Sequence, residues 1–218
     1  MILKLFALAI LQCMILDDSV LALGDSYTIG EGVKEEERWP MQMVKQLNDR
    51  GESFASPKII AKTGWTTDEL QAAIKQQELA EKYDWVTLLI GVNNQYRERD
   101  IDEYRVQFHE LLKLAIEKAG NNPKRVIVLS IPDWGVTPFA TKRNRDPELV
   151  AKQIDQFNQV NREVTEELKA NYIEITKLTR DAANNPSKFL VEDELHPSAE
   201  MYHQWAKLAS QLILDQRR

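Results

Sequence analysis

Apolar positions along this chain follow two alternating rhythms. Short continuous runs at Ser19 to Leu23, Pro57 to Ala61, Trp85 to Ile90, Arg125 to Ser130 and Tyr172 to Ile175 have the length and composition of buried strands. Between them lie longer amphipathic stretches. Val150, Ile154, Phe157, Val160, Val164 and Leu168 recur at steps of three and four, and so do Met201, Trp205, Leu208 and Leu212. Each set predicts a helix that lays one face on a sheet. Pro147 is expected where the first turn of the longer helix begins, and Pro197-Ser198 plays the same part before the last helix. The alternation runs on without a Ser/Gly/Pro-rich linker, an internal repeat or a low-complexity tract, which predicts one α/β domain over residues 19–218. Its sheet should be parallel, with ligands bound in the crevice outside the carboxyl ends of the strands.

At 218 residues, 43% of them hydrophobic, the chain can bury a full core. A formal net charge of -6, with no Lys/Arg-rich block, excludes a nucleic-acid backbone as partner. The densest charge run, Lys34-Glu35-Glu36-Glu37-Arg38, reads as a solvated loop before a helix. Cys13 is the one cysteine, so no internal disulfide forms. The apolar run from Leu5 to Leu16 is shorter than the ~20 residues of a bilayer span, so no stable membrane span is expected, and it has the length of a signal-peptide core. Residues 1–18 are therefore expected to be a signal peptide or N-terminal extension, and the protein to be exported. A start at Met14 would instead leave a cytoplasmic chain.

Chemistry is sought in the strand-end loops. After the first strand, Gly24-Asp25-Ser26-Tyr27 places a serine where a buried strand meets the crevice, with Asp25 bracing the turn. No Lys-Ser/Thr pair follows the glycines at 24, 30 and 32, which disfavours a phosphate-binding loop. After the second strand, Gly64 brings a backbone N–H to the crevice, and Thr66 or Thr67 followed by Asp68 and Glu69 reads as a helix start. The third loop holds Gly91 and then Asn93-Asn94, whose carboxamides suit donation to a developing oxyanion. Before the last helix, Asp193 and His196 stand three residues apart, so that the carboxylate can hold one ring nitrogen while the other takes a proton. His109 and His203 fall inside helical patterns and are read as structural or solvated. With only three histidines and no clustered ligand set, neither a metal nor another cofactor is expected.

These four blocks, in this order from residue 24 to residue 197, resemble the SGNH hydrolases, also called GDSL esterases and lipases. The resemblance implies a flavodoxin-like three-layer sandwich, a five-stranded parallel sheet flanked by helices, and hydrolysis of small-molecule carboxylic esters through an acyl-enzyme. It also implies roles. Ser26 would be the nucleophile, His196 the base and Asp193 its orienting acid, with the oxyanion held by the N–H groups of Ser26 and Gly64 and by the Asn93 side chain. One departure is visible, because the third block often ends in Asp where this chain has Asn94, which puts the bracing of that loop in question. An O-acetyl carbohydrate esterase, an acyltransferase of the same fold and a non-catalytic binding module are the alternatives.

Overall fold

A computed structural model describes residues 17–217. The expectations that fall on residues 1–16, a signal core or a later start, lie outside the described residues. In chain order the elements are β1 (Val20–Gly24), α1 (Ser26–Ile29), α2 (Trp39–Asn48), β2 (Lys58–Ala61), α3 (Thr67–Lys75), β3 (Trp85–Leu89), α4 (Val92–Tyr96) and α5 (Ile101–Lys118). They continue with β4 (Val126–Leu129), α6 (Pro138–Lys142), α7 (Pro147–Glu167), β5 (Asn171–Ile173), α8 (Thr176–Ala182), α9 (Pro186–Phe189) and α10 (Ala199–Asp215). The five strands form one parallel sheet in the order β2-β1-β3-β4-β5. Every residue of β1, β3 and β4 is buried, which requires helices on both faces of the sheet. Helices α2 and α10 pack on each other, while α5 packs on both α3 and α7. This is the expected three-layer α/β arrangement.

Local chemistry sets the element ends. Asp146 caps α7 by accepting the N–H groups of Glu148 and Leu149, and Pro147 takes the first helical position, where no N–H is needed. Thr66 caps α3, and its own N–H donates to Glu69 as in a capping box. Lys34 to Arg38 includes a short 3-10 turn at Glu35–Glu37 just ahead of α2, exposed at Lys34 to Glu36 and half-buried at Glu37 and Arg38. Strand ends differ from the pattern-based expectation by one or two residues. The last strand ends at Ile173 rather than Ile175, because the N–H groups of Ile175 and Thr176 donate to Ser130 Oγ and turn the chain into α8. Pro197-Ser198 stands before the last helix as expected: Ser198 is the cap, and Pro197 bridges Leu190 in an antiparallel pair.

Candidate active site

The first strand delivers Ser26 to the carboxyl edge of the sheet. Asp25 Oδ1 accepts the N–H of Tyr27 at 3.0 Å and so opens the four-residue α1, of which Ser26 is the first residue. Ser26 is 4% exposed. From the far end of the chain comes the segment 190–197, closed by the Leu190–Pro197 bridge. Within it Asp193 Oδ1 accepts the backbone N–H groups of Leu195 and His196, at 2.8 and 2.9 Å, which ties the carboxylate to the histidine's own backbone. Its Oδ2 lies 2.6 Å from His196 Nδ1, and His196 Nε2 lies 2.9 Å from Ser26 Oγ. Partial burial works to raise the Asp193 carboxyl, but the hydrogen bonds from the His196 ring and from the two N–H groups outweigh it and hold the group below its ordinary value. An ionised Asp193 keeps the imidazole proton on Nδ1 and leaves Nε2 free to accept from Ser26. His109 and His203 sit in α5 and α10, away from this line.

Two neighbouring loops complete the rim. Gly64 has φ +85°, in the left-handed region where a side chain is strained, and its carbonyl accepts from Arg97 Nη2 at 2.5 Å. Asn93 lies in the first turn of α4, beyond Gly91, whose φ is +130° and where a Cβ would stand 2.3 Å from Tyr104 Oη. Its Nδ2 donates to the Trp65 carbonyl at 3.0 Å and faces Asp25 Oδ2 at 3.4 Å, longer than a well-formed bond. One amide hydrogen is thus fixed and the other only loosely held. Asp25 is wholly buried, and that burial pushes its carboxyl up to about 7, against the hydrogen bonds from the Tyr27 N–H, its own N–H and Asn93. The question over Asn94 is answered by its contacts. Its Oδ1 accepts the N–H of Thr67 at 3.1 Å and its Nδ2 donates to Thr67 Oγ1 at 2.7 Å, while that hydroxyl donates onward to Gln107. The third loop is therefore braced against the start of α3 by a group that must both accept and donate, which an amide does and a carboxylate does not.

Ser26, Gly64, Asn93 and His196 line one cavity of ≈ 170 Å³, with Tyr27, Thr63, Val92, Tyr96, Trp134, Phe139 and Leu195 as its other walls. The apolar walls were missed by the sequence reading. Their signal was present in the loop after the fourth strand, Pro132-Asp133-Trp134-Gly135-Val136-Thr137-Pro138-Phe139, which occupies the same kind of position as the three loops that were read. Trp134 is held from two sides: its Nε1 donates to Gln95 Oε1 at 2.6 Å, and Asp133 beside it is bound by Arg180 at 2.8 Å and by the N–H of Gly135. Among the described residues there is no group of three or more His, Cys, Asp or Glu placed to hold a metal ion, and no helix is long and apolar enough to cross a membrane.

Residues 22–204 match the GDSL-like Lipase/Acylhydrolase family, a span that takes in all four blocks. The chain belongs to that family. Membership makes it a hydrolase of the esterase and acylhydrolase type. An acetylxylan esterase of Geobacillus stearothermophilus is 26% identical over 148 residues, which is 62% of this chain, and the chain spans 62% of the length of that relative. Solved structures share the fold of this GDSL hydrolase: a lipase/acylhydrolase from Enterococcus faecalis, 21% identical, has a TM-score of 0.70 and covers 91% of this chain and 96% of that one. The acetylxylan esterase Axe2 from Geobacillus stearothermophilus, 19% identical, has a TM-score of 0.68 over 90% of this chain and 94% of that one.

Proposed function

We propose that the chain hydrolyses small carboxylic esters through an acyl-enzyme on Ser26. The observation that carries this reading is the line from Ser26 Oγ to His196 Nε2 at 2.9 Å and from His196 Nδ1 to Asp193 Oδ2 at 2.6 Å. A serine hydroxyl is a weak nucleophile, so His196 takes its proton as Oγ attacks the ester carbonyl, and Asp193 steadies the imidazolium that forms. The carbonyl electron pair moves onto oxygen. The N–H groups of Ser26 and Gly64 and the loosely held Asn93 amide hydrogen receive that charge. Ser26 opens a helix, where its N–H has no intrahelical acceptor. As the tetrahedral intermediate collapses, His196 gives its proton to the leaving alkoxide and the acyl group stays on Ser26. Water then repeats the sequence, with His196 again as base, and releases the carboxylic acid.

The cavity walls support a narrower substrate reading. A space of ≈ 170 Å³ closed by Trp134, Phe139 and Leu195 fits a short acyl group, and the acetylxylan esterase relative points to O-acetyl esters of carbohydrates as one such class. Labelling with a fluorophosphonate tests the nucleophile: wild-type protein should take up one probe at Ser26, located by peptide mass mapping, and Ser26→Ala should take up none. A panel of 4-nitrophenyl esters of rising acyl length should show turnover falling beyond short chains. Labelling of Ser26→Ala at wild-type level, or no turnover of any ester, would count against the reading.

A further inference from the structure

Lys142 ends α6, and the loop from there to α7 carries Arg143 and Arg145; all three are exposed. Lys142 is paired with Glu194. Arg143 and Arg145 instead lie against aromatic rings. The Arg143 guanidinium is 3.6 Å from the ring centroid of Phe139, and that of Arg145 is 5.7 Å from the ring centroid of Tyr96. Both rings are walls of the cavity that contains Ser26 and His196. Arg145 also lines an adjoining cavity of ≈ 260 Å³ that shares Tyr96 and Trp134 with the first. Tyr96 and Leu149, two of the four exposed large apolar side chains among the described residues, line this second space, so it is an amphipathic extension of the first.

Neither Arg143 nor Arg145 forms an ion pair among the described residues. Glu98 and Asp146 line the adjoining cavity, but neither forms an ion pair with Arg145 among the described residues, and Asp146 Oδ1 is committed to the N–H groups that begin α7. A guanidinium lying over an aromatic face still has N–H donors for carboxylate and phosphate oxygens. The ring contact also restrains a long side chain that would otherwise lose entropy on binding. We propose that this site takes esters whose end remote from the scissile bond carries an oxyanion, a carboxylate or a phosphate, held by Arg143 and Arg145. The inference rests on the ester-hydrolase reading of the Ser26 site. It adds the charge of the substrate.

The test compares 4-acetoxybenzoate with 4-acetoxybenzamide, which share acetyl group and phenol and differ in charge at the far end; 4-acetoxyphenyl phosphate is the third substrate. The measured quantity is the ratio of kcat/KM for the anionic ester to that for the amide. Arg143→Gln and Arg145→Gln should each lower this ratio about threefold to fivefold, and the double variant about tenfold, chiefly through KM, as exposed charge pairs allow. About 0.5 M NaCl should lower the wild-type ratio and leave that of the double variant in place. Arg50→Gln, which removes the same charge from the turn after α2, should not move it. Whichever of benzoate and phosphate shows the larger loss in the double variant identifies the group recognised. A wild-type ratio in the double variant, or an equal fall in Arg50→Gln, would overturn the inference. If no ester is hydrolysed at all, the hydrolase reading fails separately, and calorimetry on Ser26→Ala decides the charge question: tighter binding of the benzoate than the benzamide, lost in the double arginine variant, upholds it, and equal affinities refute it.

Discussion

At the scale of single residues, the proposed mechanism divides the site into groups that move protons and groups that receive charge, and the two should fail differently. Asn93 offers one firmly held amide hydrogen to the Trp65 carbonyl and a second that only grazes Asp25. Asn93→Ala is expected to lower kcat by about 10²- to 10³-fold with little change in KM, because the donor acts on charge present only in the transition state. Steady-state kinetics on a short acyl ester read this directly; a change confined to KM would assign Asn93 to ground-state binding. His196→Ala should abolish turnover at every pH, whereas His203→Ala, on the exposed face of α10, should keep the whole wild-type profile including its acid limb. Gly64 separates conformation from bulk. A Cβ there meets only Arg97 Nη2 at an ordinary 3.5 Å, so Gly64→Ala should cost about 1 to 2 kcal/mol through its left-handed φ alone, seen as a lowered Tm. Turnover should fall further than stability, since the N–H it carries is re-aimed.

Elements hold these residues in register, and here one amide matters. Asn94 accepts from the Thr67 N–H and donates to the Thr67 hydroxyl, so α4 and the start of α3 are locked together within a few residues of both Asn93 and Gly64. Replacing it by Asp leaves a buried carboxylate without the proton that Thr67 Oγ1 was receiving. Asn94→Asp is expected to cost about 1 to 3 kcal/mol of stability, measured by urea unfolding, together with a loss of turnover. Much at this scale could be read from residue order. β1, β3 and β4 were legible because buried parallel strands are continuous apolar runs, whereas β2 and β5, also read as buried, are edge strands and only partly so; α7 was legible from its three-and-four spacing together with Pro147. The end of β5 was not, because it depends on a partner distant in sequence: Ser130 Oγ draws Ile175 and Thr176 out of the ladder. The blocks holding Ser26, Gly64 and Asn93 were legible since each is a few residues fixed by a strand end, and Asp193-to-His196 since its two side chains stand three residues apart before α10. The walls formed by Tyr96, Trp134 and Phe139 were not, since an aromatic side chain in a loop has no spacing to reveal which cavity it lines.

For the molecule as a whole, two carboxyls impose opposite slopes on stability against pH. Asp193, held below its ordinary value in the folded chain, adds stability that is present above the usual carboxylate range and lost as pH falls through its lowered value. Asp25, raised from 3.8 to about 7 by burial, binds its proton more tightly folded than unfolded, so stability declines as pH rises from about 4 to about 7. The decline is on the order of 3 to 4 kcal/mol at 1.36 kcal/mol per unit. Asp25→Asn should remove that slope, and a series of urea midpoints from pH 4 to pH 8 on both proteins measures it; an unchanged slope would show that the buried carboxyl does not titrate in this window. A different consequence comes from chain order. Ser26 and His196 are 170 residues apart, and the loop carrying His196 leads directly into α10, which packs on α2. On the mechanism proposed above, the nucleophile leaves the ribosome long before its base. Activity would then wait on completion of the chain: one broken off before residue 196 would carry Ser26 without the group proposed to activate it.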